Sequence, residues 1–280
     1  MTRTPSHFAV FGRPIAHSRS PHIHAAFARQ FGIDIDYRRI EAGRDDFAKQ
    51  LSVFGDAGGR GANLTLPLKE IASSACSLVS PRARRAGSIN TLTRSDDGWL
   101  GDSTDGIGLV ADLCQRHQLD LRDARVLIIG AGGAARAAAA VLIDAEIAEL
   151  VVANRDIARA QKLCAEIDPR GRSIACDFDA LHGRDSVDLL INATSAGHSG
   201  QVPGLPTTIV GKTTIAYDLS YGAAAQPFLS WAVTADSARQ IDGLGMLVEQ
   251  AAASFAIWHA VQPATAPVYD ALRAEVGFFA

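Results

Sequence analysis

The stretch RVLIIGAGGAARAAAAVLI, residues 125–143, constrains what this chain can fold into more than any other part of it. An unbroken apolar run ends on Gly130. Gly130, Gly132 and Ala135 then stand in the order G-x-G-x-x-A where an alanine-rich helix begins. The first glycine permits the tight turn out of a strand, the second lets a bulky anion approach the backbone, and the small third residue lets helix pack on strand. The helix N-terminus attracts that anion through its unpaired N–H groups and dipole. Further runs that are apolar on both faces, LVVAN, DLLINAT and TTIAYDL, alternate with helical stretches or loops. Parallel strands covered by helices on both faces require that pattern, so a doubly wound α/β sheet is predicted. The ligand of such a loop is a dinucleotide, with its pyrophosphate over Gly130, Ala131, Gly132, Gly133 and Ala134.

The end of the second strand decides which dinucleotide. An acidic residue there would hold a ribose 2′-hydroxyl. LVVANRDIARA instead supplies Asn154 and Arg155, with Arg159 one helical turn later. Two guanidinium groups suit a 2′-phosphate by charge and by bidentate geometry, which points to NADP. Asp156, between them, is the one opposing charge.

Upstream, the first hundred residues alternate short strands and helices. FAVFG, DYRRIEA and GANLTL read as strands, SPHIHAAFARQFG as an amphipathic helix stopped at Gly32, and residues 45–54 as another helix. NLTLPLKE, residues 63–70, keeps a strand's alternation through Leu66, then Pro67 ends the ladder and Lys69 follows. Lysine occurs only at 49, 69, 162 and 212, while the other 23 of the 27 basic residues are arginine. Where a plain positive charge was needed the chain uses arginine. A lysine kept at the mouth of an apolar strand therefore suits proton transfer, which arginine cannot perform.

With these pieces in view, the chain resembles the shikimate dehydrogenase family. GRPIAHSRSPHIH resembles that family's substrate-carboxylate loop, NLTLPLK its N-x-T-x-P-x-K motif and AGSINTL its A-G-x-x-N-T. GDSTDG, GAGGAAR, the NR…R pair, INATSAG, YDLSYG, QPFLSWA and DGLGMLVEQAA follow in the family's order. The resemblance runs nearly end to end and implies NADPH-dependent reduction of 3-dehydroshikimate to shikimate, a step toward chorismate and the aromatic amino acids. It implies that Lys69 and Asp105 form the polar pair at the reacting centre. By the same resemblance Ser18 and Ser20, with Tyr221, hold the substrate carboxylate, and Asn63, Thr65, Asn90, Asp105 and Gln250 bind the ring hydroxyls. Thr194, Leu219, Gly243 and Met246 then lie near the nicotinamide end of the cofactor. Arg13 and Arg19 flank the serine loop and would add long-range attraction.

Those residue types suit the chemistry independently of the family. Reduction of a ketone needs hydride on carbon and a proton on oxygen. A polyhydroxylated acid needs short Ser, Thr and Asn side chains that donate or accept without adding charge. Asp105 has a second role open to it, as cap of the helix after STDG. Departures from the family pattern are Ser103 in place of Asn, Gln226 in place of Thr, and Asp156 in place of Thr, the last bearing on cofactor choice. Both serines at 18 and 20 are kept, which favours shikimate over quinate.

The expected architecture is two α/β domains with a cleft between them that closes on substrate. Residues 1–104 with 244–280 would form the substrate domain and residues 105–243 the Rossmann-like NADP-binding domain. A formal net charge of −3 gives no reason to expect nucleic acid or a membrane surface as partner. MTRTPSHFAVFG holds no run long enough for a leader, and no stretch approaches the roughly 18 apolar residues of a membrane span. Cysteines at 76, 114, 164 and 176 suggest neither a metal site nor a disulfide framework, so a reducing cytoplasm is the simplest reading. The partner is a small molecule and the assembly a monomer or homodimer. No glycine stands upstream of GKTT at the P-loop spacing, and His22 and His24, two apart on a helix, diverge too far to share a metal. No G-x-S-x-G elbow surrounds Ser195 or Ser199. Alternatives left open are a quinate/shikimate dehydrogenase with relaxed substrate or NAD use, and a non-catalytic dinucleotide sensor.

Overall fold

The computed structural model describes residues 6–168 and 170–277, so the first five residues of the opening stretch and the last three of the chain lie outside the description. The chain divides into two compact units. One runs up to Gly108 and takes in Val248–Asp270; the other comprises Leu109–Leu247 and the residues from Ala271 on.

The first unit begins β1 (Ser6–Gly12), α1 (Ser20–Gln30), β2 (Ile35–Glu41), α2 (Phe47–Asp56) and β3 (Gly59–Leu64), then adds β4 (Leu78–Val79), α3 (Pro81–Ala86), β5 (Thr91–Ser95), β6 (Gly98–Asp102) and the start of α4 (Asp105–Val110). Its strands lie in the order β2-β1-β3-β5-β6-β4. β1 is parallel to both β2 and β3, whereas β5 is antiparallel to β3 and β6. α1 starts with proline in its first turn, where a missing N–H costs nothing. The core gathers Phe11, Leu51, Leu64, Leu68, Leu92 and Trp99. Phe11 meets Phe47 and Phe54 edge-on, at centroid distances of 6.1 and 5.6 Å.

The second unit contains β7 (Arg125–Ile129), α5 (Gly133–Asp144), β8 (Glu149–Ala153), α6 (Ile157–Ile167), β9 (Ser173–Cys176), β10 (Leu189–Asn192), β11 (Ile215–Asp218), α7 (Gln226–Thr234) and β12 (Arg239–Asp242). All six strands are parallel, ordered β12-β11-β10-β7-β8-β9. The order reverses between β7 and β10, the crevice where open α/β sheets place their ligands. α4 continues as a π-helical turn over Ala111–Arg116, which sets Asp112 inward, fully buried, with the Tyr217 hydroxyl donating to it at 2.7 Å. Two further helices complete the chain, α8 (Leu244–His259) and α9 (Ala266–Val276). The residues of α8 from Val248 on belong to the first unit. No helix among the described residues is long and apolar enough to cross a membrane.

Candidate active site

Lys69 is held by the backbone around it. The Thr65 N–H still pairs with the carbonyl of Phe11 at 2.9 Å, extending β3 by one residue. The chain then turns, with the Leu68 N–H bonded to the Thr65 carbonyl at 2.9 Å and the Leu68 side chain fully buried. The Ile89 N–H closes on the Lys69 carbonyl at 2.8 Å. From this fixed turn Lys69 Nζ donates to Asp105 Oδ2 at 2.6 Å, their side chains only 15% and 4% exposed. Water screens a pair so enclosed poorly, and removing one partner strands the other's charge.

Asp105 is not the helix cap. The first turn of α4 closes from the Gly108 N–H onto the Thr104 carbonyl at 2.9 Å, which makes Asp105 a first-turn residue. Its carboxylate faces Lys69 on one oxygen and, on the other, the Asn90 amide, which donates at 2.8 Å. Asn90 Nδ2 also reaches Thr104 Oγ1 at 2.9 Å and Gln250 Oε1 at 3.1 Å, while its Oδ1 accepts the Thr104 N–H at 2.7 Å. Four of the residues read from the sequence, Lys69, Asn90, Asp105 and Gln250, are thus joined directly.

Asn63 is linked to them from behind. Its Oδ1 accepts the Tyr37 hydroxyl at 2.7 Å, and its Nδ2 donates to Ser254 Oγ at 2.9 Å, the Asn90 carbonyl at 3.2 Å and Thr91 Oγ1 at 3.3 Å. Asn63 is 5% exposed, because β2, β5 and α8 all supply it with partners. Ser254 Oγ also meets Thr91 Oγ1 at 2.8 Å and Thr104 Oγ1 at 3.1 Å, and donates to the Gln250 carbonyl at 3.1 Å. Tyr37, Thr91, Thr104 and Ser254 were not anticipated. The one available signal was Ser254, a single turn after Gln250 on the same helix.

In the loop before α1, Ser18 Oγ donates to Ser20 Oγ at 3.2 Å and accepts the Ser20 N–H at 3.3 Å. Arg13 pairs with Glu41 and Asp46 at 3.3 and 3.0 Å. Arg39 holds the serine loop, its Nε and Nη2 donating to the Ser18 carbonyl at 2.9 and 2.6 Å. His24 is fully enclosed, stacked on Tyr37 with centroids 4.5 Å apart, and neither ring nitrogen makes a hydrogen bond of normal geometry. Burial holds its pKa down to about 3, against a smaller upward influence from Asn63. His22 is exposed on the same helix.

In the second unit five strands end together in one rim, where several of the residues expected to meet a cofactor follow them. Asp242, Asp218, Asn192, Ile129 and Ala153 end five neighbouring strands in a single register row. The next residues in the chain are Gly243, Leu219, Ala193, Gly130 and Asn154. Gly130 has φ +110°, and a Cβ there would lie 3.0 Å from the Ala193 carbonyl oxygen, so glycine is required. Gly132 caps α5, whose first turn has no acidic residue, leaving its N–H groups and dipole for an anion. Asn154 Nδ2 donates to the Asp156 carbonyl at 2.8 Å, and Arg155 and Arg159 are exposed one turn apart. Asp156 caps α6, its Oδ1 accepting the Ala158 N–H at 3.1 Å. The row therefore fits a phosphorylated dinucleotide at a glycine crevice, a helix terminus and two guanidinium groups. Tyr221 lies in the loop after β11 in the same unit, and Met246 is buried near the start of α8. Among the described residues no cluster of His, Cys, Asp or Glu is grouped to hold a metal ion.

A rim of this kind on an all-parallel sheet defines a class, the dinucleotide-binding α/β proteins. Family models described as the shikimate dehydrogenase substrate binding domain, shikimate / quinate 5-dehydrogenase and the shikimate 5'-dehydrogenase C-terminal domain match residues 10–92, 112–200 and 243–273. The chain is 52% identical over 272 residues, 96% of each protein, to the shikimate dehydrogenase (NADP(+)) of Xanthomonas campestris pv. campestris. It is 50% identical over 274 residues, 97% of each, to that of Xylella fastidiosa. A crystal structure of shikimate 5-dehydrogenase from Thermus thermophilus in complex with NADP(H) and shikimate superposes with a TM-score of 0.83 at 31% identity, covering 96% of this chain and 99% of the other. The chain belongs to the shikimate dehydrogenase family.

Proposed function

We propose that this chain catalyses the reversible NADPH-dependent reduction of 3-dehydroshikimate to shikimate, a step of aromatic amino acid biosynthesis, in the cytoplasm. The observation that carries the proposal is the enclosed Lys69–Asp105 pair at 2.6 Å, tied through Asn90 to Gln250. Bound NADPH supplies the hydride to the ketone carbon. Lys69 supplies what the oxygen needs. An ammonium carries three hydrogens, of which Asp105 takes one, so Nζ can donate to the ketone oxygen and pass it a proton as the alkoxide forms. Asp105 keeps that ammonium aimed, and Asn90 keeps Asp105 aimed.

The remaining assignments follow the chemistry of the groups. Ser18 and Ser20 offer hydroxyls to the substrate carboxylate. Thr65, Asn90, Asp105 and Gln250 meet the ring hydroxyls with neutral or paired groups, so no uncompensated charge is buried. Asn63 joins them as a ring-hydroxyl contact, its amide also bonded to the Asn90 carbonyl, Tyr37 and Ser254. Gly130 to Ala134 cradle the pyrophosphate. Asn154, Arg155 and Arg159 take the 2′-phosphate, and Thr194, Leu219, Gly243 and Met246 line the nicotinamide end. The four cysteines are free thiols, as suits a reducing compartment.

The test is kcat/KM for the four combinations of shikimate or quinate with NADP+ or NAD+. Shikimate with NADP+ is expected to exceed each of the other three by at least about 10-fold, the worth of one well-placed polar contact. A higher value for quinate would overturn the substrate assignment, and a higher value for NAD+ the cofactor assignment.

A further inference from the structure

We infer that Asn192 and Asp218, neither of which is assigned a contact with substrate or cofactor, are positioning residues that lock the three loops forming the nicotinamide end of the dinucleotide site. The inference rests on the cofactor site proposed above. Asn192 and Asp218 end β10 and β11 side by side, 1% and 0% exposed. Asn192 Nδ2 donates to Asp218 Oδ2 at 2.7 Å, and Asp218 Oδ1 accepts the Ser220 N–H at 2.7 Å. On its other side Asn192 Oδ1 accepts both the N–H and the hydroxyl of Thr194, at 3.1 and 2.8 Å. The Asn192 carbonyl accepts the Leu219 N–H at 2.9 Å, and the Ser220 carbonyl accepts the Gly243 N–H at 2.8 Å. Gly243 must be glycine for the third loop to come so near, since a Cβ there would lie 2.4 Å from the Leu219 carbonyl oxygen. One buried amide–carboxylate pair therefore determines where Thr194, Leu219 and Gly243 stand.

A carboxylate suits this place because two N–H donors converge on it, and both bonds are stronger to a charged acceptor. Burial pushes the Asp218 carboxyl up to about 7; the bonds from Asn192 and Ser220 oppose this, and Asp242 adds a smaller push upward. The charged group facing Asp218 from β12 is that same Asp242, matched by Arg273 of α9, which donates to it at 2.8 and 2.5 Å. β10 contributes the neutral Asn192, and the loop after β11 the neutral Ser220. The lock is then tight when Asp218 is ionised and slackens as pH falls through neutrality.

Calorimetric titration of the purified protein with NADP+ and with 2′-phospho-ADP-ribose, the same molecule lacking nicotinamide, isolates this end of the site. Both ligands share the titrating 2′-phosphate, so the ratio of their affinities reports the nicotinamide end alone. In the wild-type protein that ratio is expected to rise about 3- to 10-fold as pH increases through 7, the worth of one weakened buried hydrogen bond. Asp218→Asn, which turns an N–H toward one of the two donors, is expected to lower NADP+ affinity by about 5-fold or more, to leave 2′-phospho-ADP-ribose within about 2-fold and to abolish the pH dependence. A wild-type ratio independent of pH, or equal losses for both ligands in the variant, overturns the inference. The wild-type ratio decides alone if the variant does not fold. Failure of both ligands to bind the wild-type protein would instead overturn the proposed cofactor site.

Discussion

Asp156 puts a negative charge between two arginines proposed to hold a phosphate, yet its carboxylate has structural work. It accepts the Ala158 N–H and caps α6, a task threonine performs nearly as well. Asp156→Thr should therefore leave stability almost unchanged and, by removing an exposed opposing charge, tighten NADP+ about 2- to 5-fold. Equal affinity in a fluorescence titration would show that the charge is not felt at the phosphate. Arg155→Ala should weaken NADP+ by about 10-fold or more and leave NAD+ nearly untouched, because a phosphate contact is lost that NAD+ never makes; matching losses would remove Arg155 from the phosphate site. The cap follows from identity and position, aspartate just before an amphipathic helix, and was legible in principle. The full engagement of Asn63 was not, since its partner Ser254 lies 191 residues away in the chain and only the fold brings them together.

Strands and helices were the most readable scale. Buried parallel strands such as β7, β8, β10 and β11 announce themselves as apolar runs, and the glycine motif fixes where β7 gives way to α5. Less was legible where an element's task depends on its neighbours. Nothing in ADLCQR marks the π-helical turn that turns Asp112 inward toward Tyr217. α8 reads as an apolar helix, but its buried face also carries the hydroxyl of Ser254, which meets Asn63, Thr91 and Thr104. Ser254→Ala leaves those polar atoms short of a partner and should cost about 1–3 kcal/mol in chemical denaturation. Because the same hydroxyl supports Asn63 and Thr104, which carries Asn90, the variant should also raise KM for shikimate while KM for NADP+ stays put. A change in neither quantity would show that the hydroxyl cluster is incidental.

For the whole molecule, buried titratable groups set how stability varies with pH. His24 has a folded pKa of about 3 against an ordinary 6.5, so below 6.5 the unfolded chain binds a proton that the folded chain refuses. Stability from this group is complete above pH 6.5 and is lost as pH falls toward 3, at up to about 1.4 kcal/mol per pH unit. Asp218 works the other way. Its pKa is raised from 3.8 to about 7, so the folded chain holds the extra proton and stability falls as pH rises through that window. In urea denaturation, His24→Phe should flatten the acid limb and Asp218→Asn should steepen it; an acid limb unaltered by His24→Phe would mean that the ring is not neutral in the fold. The most direct measurement follows NADPH formation from shikimate and NADP+ by wild-type protein and Lys69→Ala side by side. Rapid formation by the wild type is expected, with kcat for the variant lower by about 10²–10⁴-fold at nearly unchanged KM. No formation by the wild type, or a variant with kcat intact, would contradict the account.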